Sequence, residues 1–182
     1  MNTIKFCFLG FLFAFLVGCK KDDQAPSPLE NSLFSLQSTG VTNGVLAAKY
    51  TCDGQSYAPP LSWANAPIGT KQFAITMHHI PPTGDKHVYY LLYNIPSTIT
   101  SLPENNSTIG LFGINTVNGK NTYTPPCSQG PGAKIYVLTV YALSEQPVIS
   151  VAPSKLTMDI LTEAMSKITL AKSELSVSYT RP

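Results

Sequence analysis

Three histidines, His78, His79 and His87, fall within ten residues, and the chain has no others. Imidazole titrates near neutral pH, donates or accepts hydrogen bonds, and ligates zinc or copper. His87 stands two residues before Tyr89, so on a strand both project to the same side. One chemistry open to this cluster is a metal site formed by His78 or His79 with His87. Against it, adjacent His78 and His79 point opposite ways on a strand, and only Asp53 or Asp85 offers an obvious third ligand. The spacing also matches no standard zinc pattern, so no metal and no cofactor is expected. Catalytic signatures are missing too: there is no G-x-S-x-G elbow, P-loop or H-E-x-x-H. A nucleophile built from Cys52 or Cys127 with a histidine is the remaining enzymatic option, but cysteines outside the cytoplasm more often pair or stay inert. The expectation is a binding protein rather than an enzyme.

The elements that position these residues read as strands. Leu33–Ser38, Val45–Tyr50 and Gln72–Met77 alternate apolar and polar residues. Val88–Tyr93 is apolar and aromatic throughout, which predicts a central strand buried on both faces. Ile135–Leu143 predicts another, with Val137, Thr139 and Tyr141 on one face, and Glu174–Tyr179 closes the set. Between them lie Ala58-Pro59-Pro60, Ile80-Pro81-Pro82-Thr83-Gly84 and Pro125-Pro126-Cys127, whose prolines hold loops in one shape without ladder hydrogen bonds. One helix is predicted over Thr157–Leu170, where Leu161, Ala164, Met165 and Ile168 form an apolar stripe. Residues 103–124 are rich in Asn, Gly and Thr and predict a long excursion, with Asn105-Asn106-Ser107 read as a turn rather than a glycosylation site.

The beginning of the chain carries an address. Lys5 and the apolar run Phe6–Val17 suit a signal peptide, and the run is too short to span a bilayer, which takes about 20 residues. It ends in Leu16-Val17-Gly18-Cys19, which resembles a bacterial lipobox, so residues 1–18 are predicted to be removed and Cys19 to carry the lipid. Residues 19–31 then form a tether, and residues 32–182 a single domain with a sizeable core. Lys20-Lys21-Asp22-Asp23 resembles an export signal for the outer membrane surface, or is simply a solvated linker. The expected location is the bacterial cell envelope, anchored to the outer membrane. Once Lys5 is gone, eleven Lys and Arg face ten Asp and Glu, with no basic stripe to attract nucleic acid. Only 12% of the chain is charged, and Pro and Gly are frequent, which favours short strands joined by turns.

The block Tyr50-Thr51-Cys52-Asp53-Gly54, followed by Pro59-Pro60-Leu61-Ser62-Trp63, resembles the signature of phosphatidylethanolamine-binding proteins in their bacterial Raf-kinase-inhibitor-like (YbhB/YbcL) branch. Leu92-Tyr93-Asn94-Ile95-Pro96, Pro126-Cys127, Tyr136–Leu143 and the closing Tyr179-Thr180-Arg181 match further family motifs in the same order, from about Leu33 to Arg181. The resemblance implies a mostly β fold, a β-sandwich with a small C-terminal helical element and a shallow pocket at one end. It also implies that the loops of Cys52 and Cys127 meet near the pocket mouth, where these cysteines either pair or remain free thiols.

In the family that pocket binds a phosphate-like anion, and here its lining departs from the pattern. His78-His79-Ile80-Pro81-Pro82 stands where the family carries D-P-D-A-P, and is one residue shorter. Tyr89 replaces the strand histidine, and Lys134-Ile135-Tyr136 replaces H-R-Y, so only Tyr136 is kept. Carboxylates beside an anion need protonation or compensating donors; imidazoles and a lysine make the site neutral to cationic instead. The resemblance therefore implies a ligand set of His78, His79, His87, Tyr89, Lys134 and Tyr136 for a small anion or phosphate-bearing head group. Alternatively, the histidines only plug a degenerate pocket, or the rim loops bind a protein, as in family members that regulate proteases and kinases.

Overall fold

Alternating side chains and proline-bounded loops lay out the strands of the computed structural model, which describes residues 33–182 except Thr83. The expected signal peptide, Cys19 and the tether lie outside those residues. In chain order the strands are β1 (Ser35–Gln37), β2 (Val41–Thr42), β3 (Val45–Leu46), β4 (Leu61–Ala64), β5 (Gln72–His79) and β6 (His87–Pro96). They continue with β7 (Ser101–Leu102), β8 (Leu111–Phe112), β9 (Lys134–Leu143) and β10 (Thr169–Tyr179), the helix α1 (Met158–Met165) preceding the last. Two sheets result: a small one ordered β1-β4-β7 and a large one ordered β2-β3-β10-β9-β5-β6-β8. The long strands are antiparallel to their neighbours, and only the short β3 pairs parallel, with β10. The architecture is the mostly β sandwich expected, with one α-helix among the described residues.

The period-two pattern of β5 explains how the large sheet buries both faces. Phe73, Ile75 and Met77 join Tyr136, Leu138 and Val140 of β9 in a core completed by Leu36, Leu61 and Trp63 of the small sheet. Trp63 meets Phe73 edge-on at 5.2 Å between ring centres. On the other face, Ala74 joins Leu91 and Tyr93 of β6 and Leu161 and Met165 of α1. Val88–Tyr93 is accordingly buried without a break, as its unalternating composition predicts.

Several elements differ from their expected limits. The segment Val45–Tyr50 is a strand only to Leu46; Ala48–Tyr50 turns as a 3-10 helix, which carries the Tyr50 ring into the core against Gly40. A Cβ on Gly40 would collide with that ring, so glycine is required there. The helix expected over Thr157–Leu170 starts as read, with Thr157 Oγ1 accepting the Ile160 amide at 3.3 Å, but ends at Met165. Beyond it the chain joins the sheet at Thr169, opposite Leu143, so β10 begins five residues before the expected Glu174. Ladder pairing outweighs the apolar stripe, whose Ile168 still packs on the same core. Finally, Leu61–Ala64, met in the sequence only as a family signature, is a strand between β1 and β7.

Two local devices position the site. Across β5 and β6, Met77 opposes Tyr90 but His78 opposes Val88, so Tyr89 is the extra residue of a β-bulge. The bulge puts consecutive Tyr89 and Tyr90 in the same core. The long excursion after β7 then covers the free edge of β6: Thr116 N donates to Val88 O at 3.0 Å, and Thr124 N to Tyr89 O at 2.8 Å. Asn115 holds the excursion's shape, its amide donating to Lys120 O at 2.8 Å while its oxygen accepts the Asn118 amide at 2.9 Å.

Candidate anion-binding site

At the end of the large sheet, β5 and β6 stop directly opposite each other at His79 and His87, and β9 begins with Lys134. These three strand ends open on a cavity of about 350 Å³, within the size range of small-ligand pockets. Pro81 and Pro82 form one wall, Tyr89 and Val117 another, and Cys127, Ser128 and Gln129 a third.

His79 is buried at the cavity, with 7% of its surface exposed. Its Nδ1 lies 2.7 Å from the carbonyl oxygen of Ile135, which can only accept, so Nδ1 carries the hydrogen. The ring packs 5.3 Å from Tyr136 and 6.5 Å from His87, centre to centre. Beneath the cavity, Tyr136 donates its hydroxyl to Ser128 Oγ at 3.1 Å, and the Tyr89 hydroxyl shares that oxygen at 3.3 Å. Burial pushes the Tyr136 phenol above its ordinary value, which keeps it a neutral donor. Lys134 Nζ spends one hydrogen on Pro131 O at 2.9 Å and retains two. The lining thus holds a lysine, two imidazoles, an amide and hydroxyls, and no carboxylate among the described residues.

The third wall is anchored from across the molecule. Cys52 and Cys127 form a disulfide, with α-carbons 5.3 Å apart, and the Cys52 amide donates to Pro126 O at 3.1 Å. Next to it, Asp53 receives Arg181 at 2.9 Å and the Tyr179 hydroxyl at 3.0 Å. The Arg181 guanidinium, opposed slightly by desolvation, holds the Asp53 carboxyl below its ordinary range. The block containing Cys52 and Asp53 therefore ties the C-terminal strand to the pocket loop.

Of the six residues expected to bind ligand, His79, His87, Tyr89 and Lys134 line one cavity and Tyr136 supports it from beneath. His78 does not join them. Pairing of β5 with both neighbours turns it to the opposite face, where it is half-buried and its Nδ1 has no partner among the described residues. Burial first, and then the Lys86 charge, depress its proton affinity. The metal alternative keeps His79 and His87 at one cavity, but neither of its third ligands lines it. Asp53 is committed to Arg181, Asp85 lines a different cavity beside Lys86 and Thr116, and no group of three metal-ligating side chains occurs among the described residues. Sequence reasoning missed Ser128, Gln129 and Val117. For Ser128 and Gln129 the available signal was their position directly after the Pro126-Cys127 motif.

Residues 37–180 match the family model of phosphatidylethanolamine-binding protein. The chain belongs to this family. It is 31% identical over 143 residues to a UPF0098 protein of Methanothermobacter thermautotrophicus, covering 76% of this chain and 92% of that one. A UPF0098 protein of Chlamydia pneumoniae is 29% identical over 136 residues, covering 72% and 87%. Among solved structures, a phosphatidylethanolamine-binding protein homologue from Chlamydia trachomatis superposes with a TM-score of 0.74 at 26% identity, covering 82% of this chain and 98% of that one. Escherichia coli YbcL superposes at 0.72 and 24% identity, covering 82% and 99%, a likeness of fold.

Proposed function

We propose that this protein is a non-catalytic binding protein, lipid-anchored through Cys19 in the bacterial envelope, whose pocket takes a small anionic or phosphate-bearing ligand. The carrying observation is the cavity at the strand ends, lined by His79, His87, Tyr89 and Lys134 and, among the described residues, by no carboxylate. Donors converging from Lys134, His87 and Tyr89 in a partly desolvated recess favour an oxyanion, since hydrogen bonds to a charged acceptor are about twice as strong as neutral ones. Calorimetry with inorganic phosphate tests the reading: Lys134→Ala should weaken binding about tenfold, and an unchanged affinity would remove the lysine from the site. The anchor is tested separately, because Cys19→Ser should release the protein from the membrane fraction.

A second reading has its own observation. Ile80, Ile135 and Val117, which flank or line the cavity, are 60%, 51% and 45% exposed, an apolar rim of the kind that docks protein. If the protein regulates a protease or kinase through this rim, Ile80→Ser and Ile135→Ser will abolish partner capture while phosphate binding persists.

A further inference from the structure

His79 enters this site as an acceptor, because the carbonyl of Ile135 has already assigned its ring hydrogen. With Nδ1 held 2.7 Å from that oxygen, the neutral ring must carry its hydrogen on Nδ1 and leave Nε2 as an acceptor. Nε2 has no partner among the described residues and is not sealed from solvent, although the residue is only 7% exposed. Its opening is the cavity. The groups facing it are His87 and Tyr89 from β6, Lys134 and Tyr136 from β9, and Ser128 from the disulfide-pinned loop. Most of them present donors, so His79 sets an acceptor among them.

An anion entering such a site meets two demands. Its oxygens satisfy the donors, but one oxygen must also meet the Nε2 lone pair. A ligand oxygen bearing hydrogen turns that contact into a hydrogen bond, whereas a bare anionic oxygen meets the lone pair with repulsion and leaves a confined acceptor unpaired. Resting on the anion-binding reading above, we propose that His79 makes the pocket select oxyanions that bring their own hydrogen-bond donor over equally charged ones that bring none. Hydrogenphosphate qualifies through its P–OH; sulfate, of the same shape and charge, does not. A phosphodiester head group lacks the acidic hydrogen and qualifies only when a neighbouring ammonium supplies the donor.

The test is calorimetry of the purified protein with inorganic phosphate and with sulfate at about pH 8.5. There both ions are dianions and only phosphate carries a hydroxyl. Phosphate is expected to bind about tenfold tighter or better. Parallel titrations with glycerophosphoethanolamine and dimethyl phosphate separate the sources: preference for the ammonium-bearing ester identifies a head-group ligand, and binding confined to phosphate identifies the free ion. Equal affinities for phosphate and sulfate overturn the selection while leaving anion binding in place, and no binding of any of the four overturns both. His79→Leu should abolish the phosphate preference. If that variant does not fold, ¹⁵N NMR of the unmodified protein decides: an Nδ1–H ring at His79 is required, and an Nε2–H ring contradicts the proposal.

Discussion

His78 and His79 are sequence neighbours with opposite surroundings. A period of two sends one side chain to each face of β5, so the pair could never act together in one pocket. Alignment with the family's acidic run suggested both; strand geometry admits His79 alone. The half-buried partner on the opposite face has a consequence for stability. The folded protein disfavours a proton on His78, which the unfolded chain accepts freely, so its depressed proton affinity contributes stability above the ordinary histidine value of 6.5. That contribution is lost as pH falls from there towards the lowered value. Urea midpoints measured between about pH 7 and 5 should therefore decline on the acid side, and His78→Leu should flatten the decline. A second, separate loss belongs to Asp53, whose depressed carboxyl stabilises the fold above its ordinary value of 3.8 and ceases to do so as pH falls further.

At the scale of elements, legibility followed the strength of the local pattern. β6 was readable because an unbroken apolar and aromatic run suits only a strand buried on both faces, and β9 because Val137, Thr139 and Tyr141 alternate with core residues. The end of α1 was not readable, since the stripe continues to Ile168 while the sheet edge at Leu143 claims Thr169. Nor was the bulge at Tyr89, which arises from register between two strands rather than from composition. Ser128, marked in the sequence only by its place after Pro126-Cys127, becomes central when two tyrosine hydroxyls converge on it. The short helix nonetheless carries weight, because Leu161 is fully buried against the sheet. Leu161→Ala should cost about 2–5 kcal/mol in denaturant unfolding with little change in slope. A cost under about 0.5 kcal/mol, typical of surface sites, would show that α1 does not complete the core.

Across the whole molecule, the disulfide joins fold and site. Cys52 and Cys127 are 75 residues apart in sequence, and closing a loop of that length removes unfolded-chain entropy worth about 4 kcal/mol. The same bond pins the loop that supplies Ser128 and Gln129 to the block held by Arg181. The double replacement Cys52→Ser with Cys127→Ser should lower stability by about 2–5 kcal/mol and weaken phosphate binding at temperatures where the protein stays folded. Unchanged affinity would mean that the loop keeps its place without the bond. Charge fits this design as well: a nearly neutral chain supplies no long-range attraction, so any anion must be recognised at short range by the cavity itself.

We propose that this cavity is where a phosphate-type anion binds. The most direct test is titration with inorganic phosphate followed by residue-resolved NMR. Saturable shifts concentrated on His79, His87, Tyr89, Lys134 and Ser128, with His78 unaffected, are the expected result. Shifts that are absent, or spread over surface lysines without saturating, would contradict it.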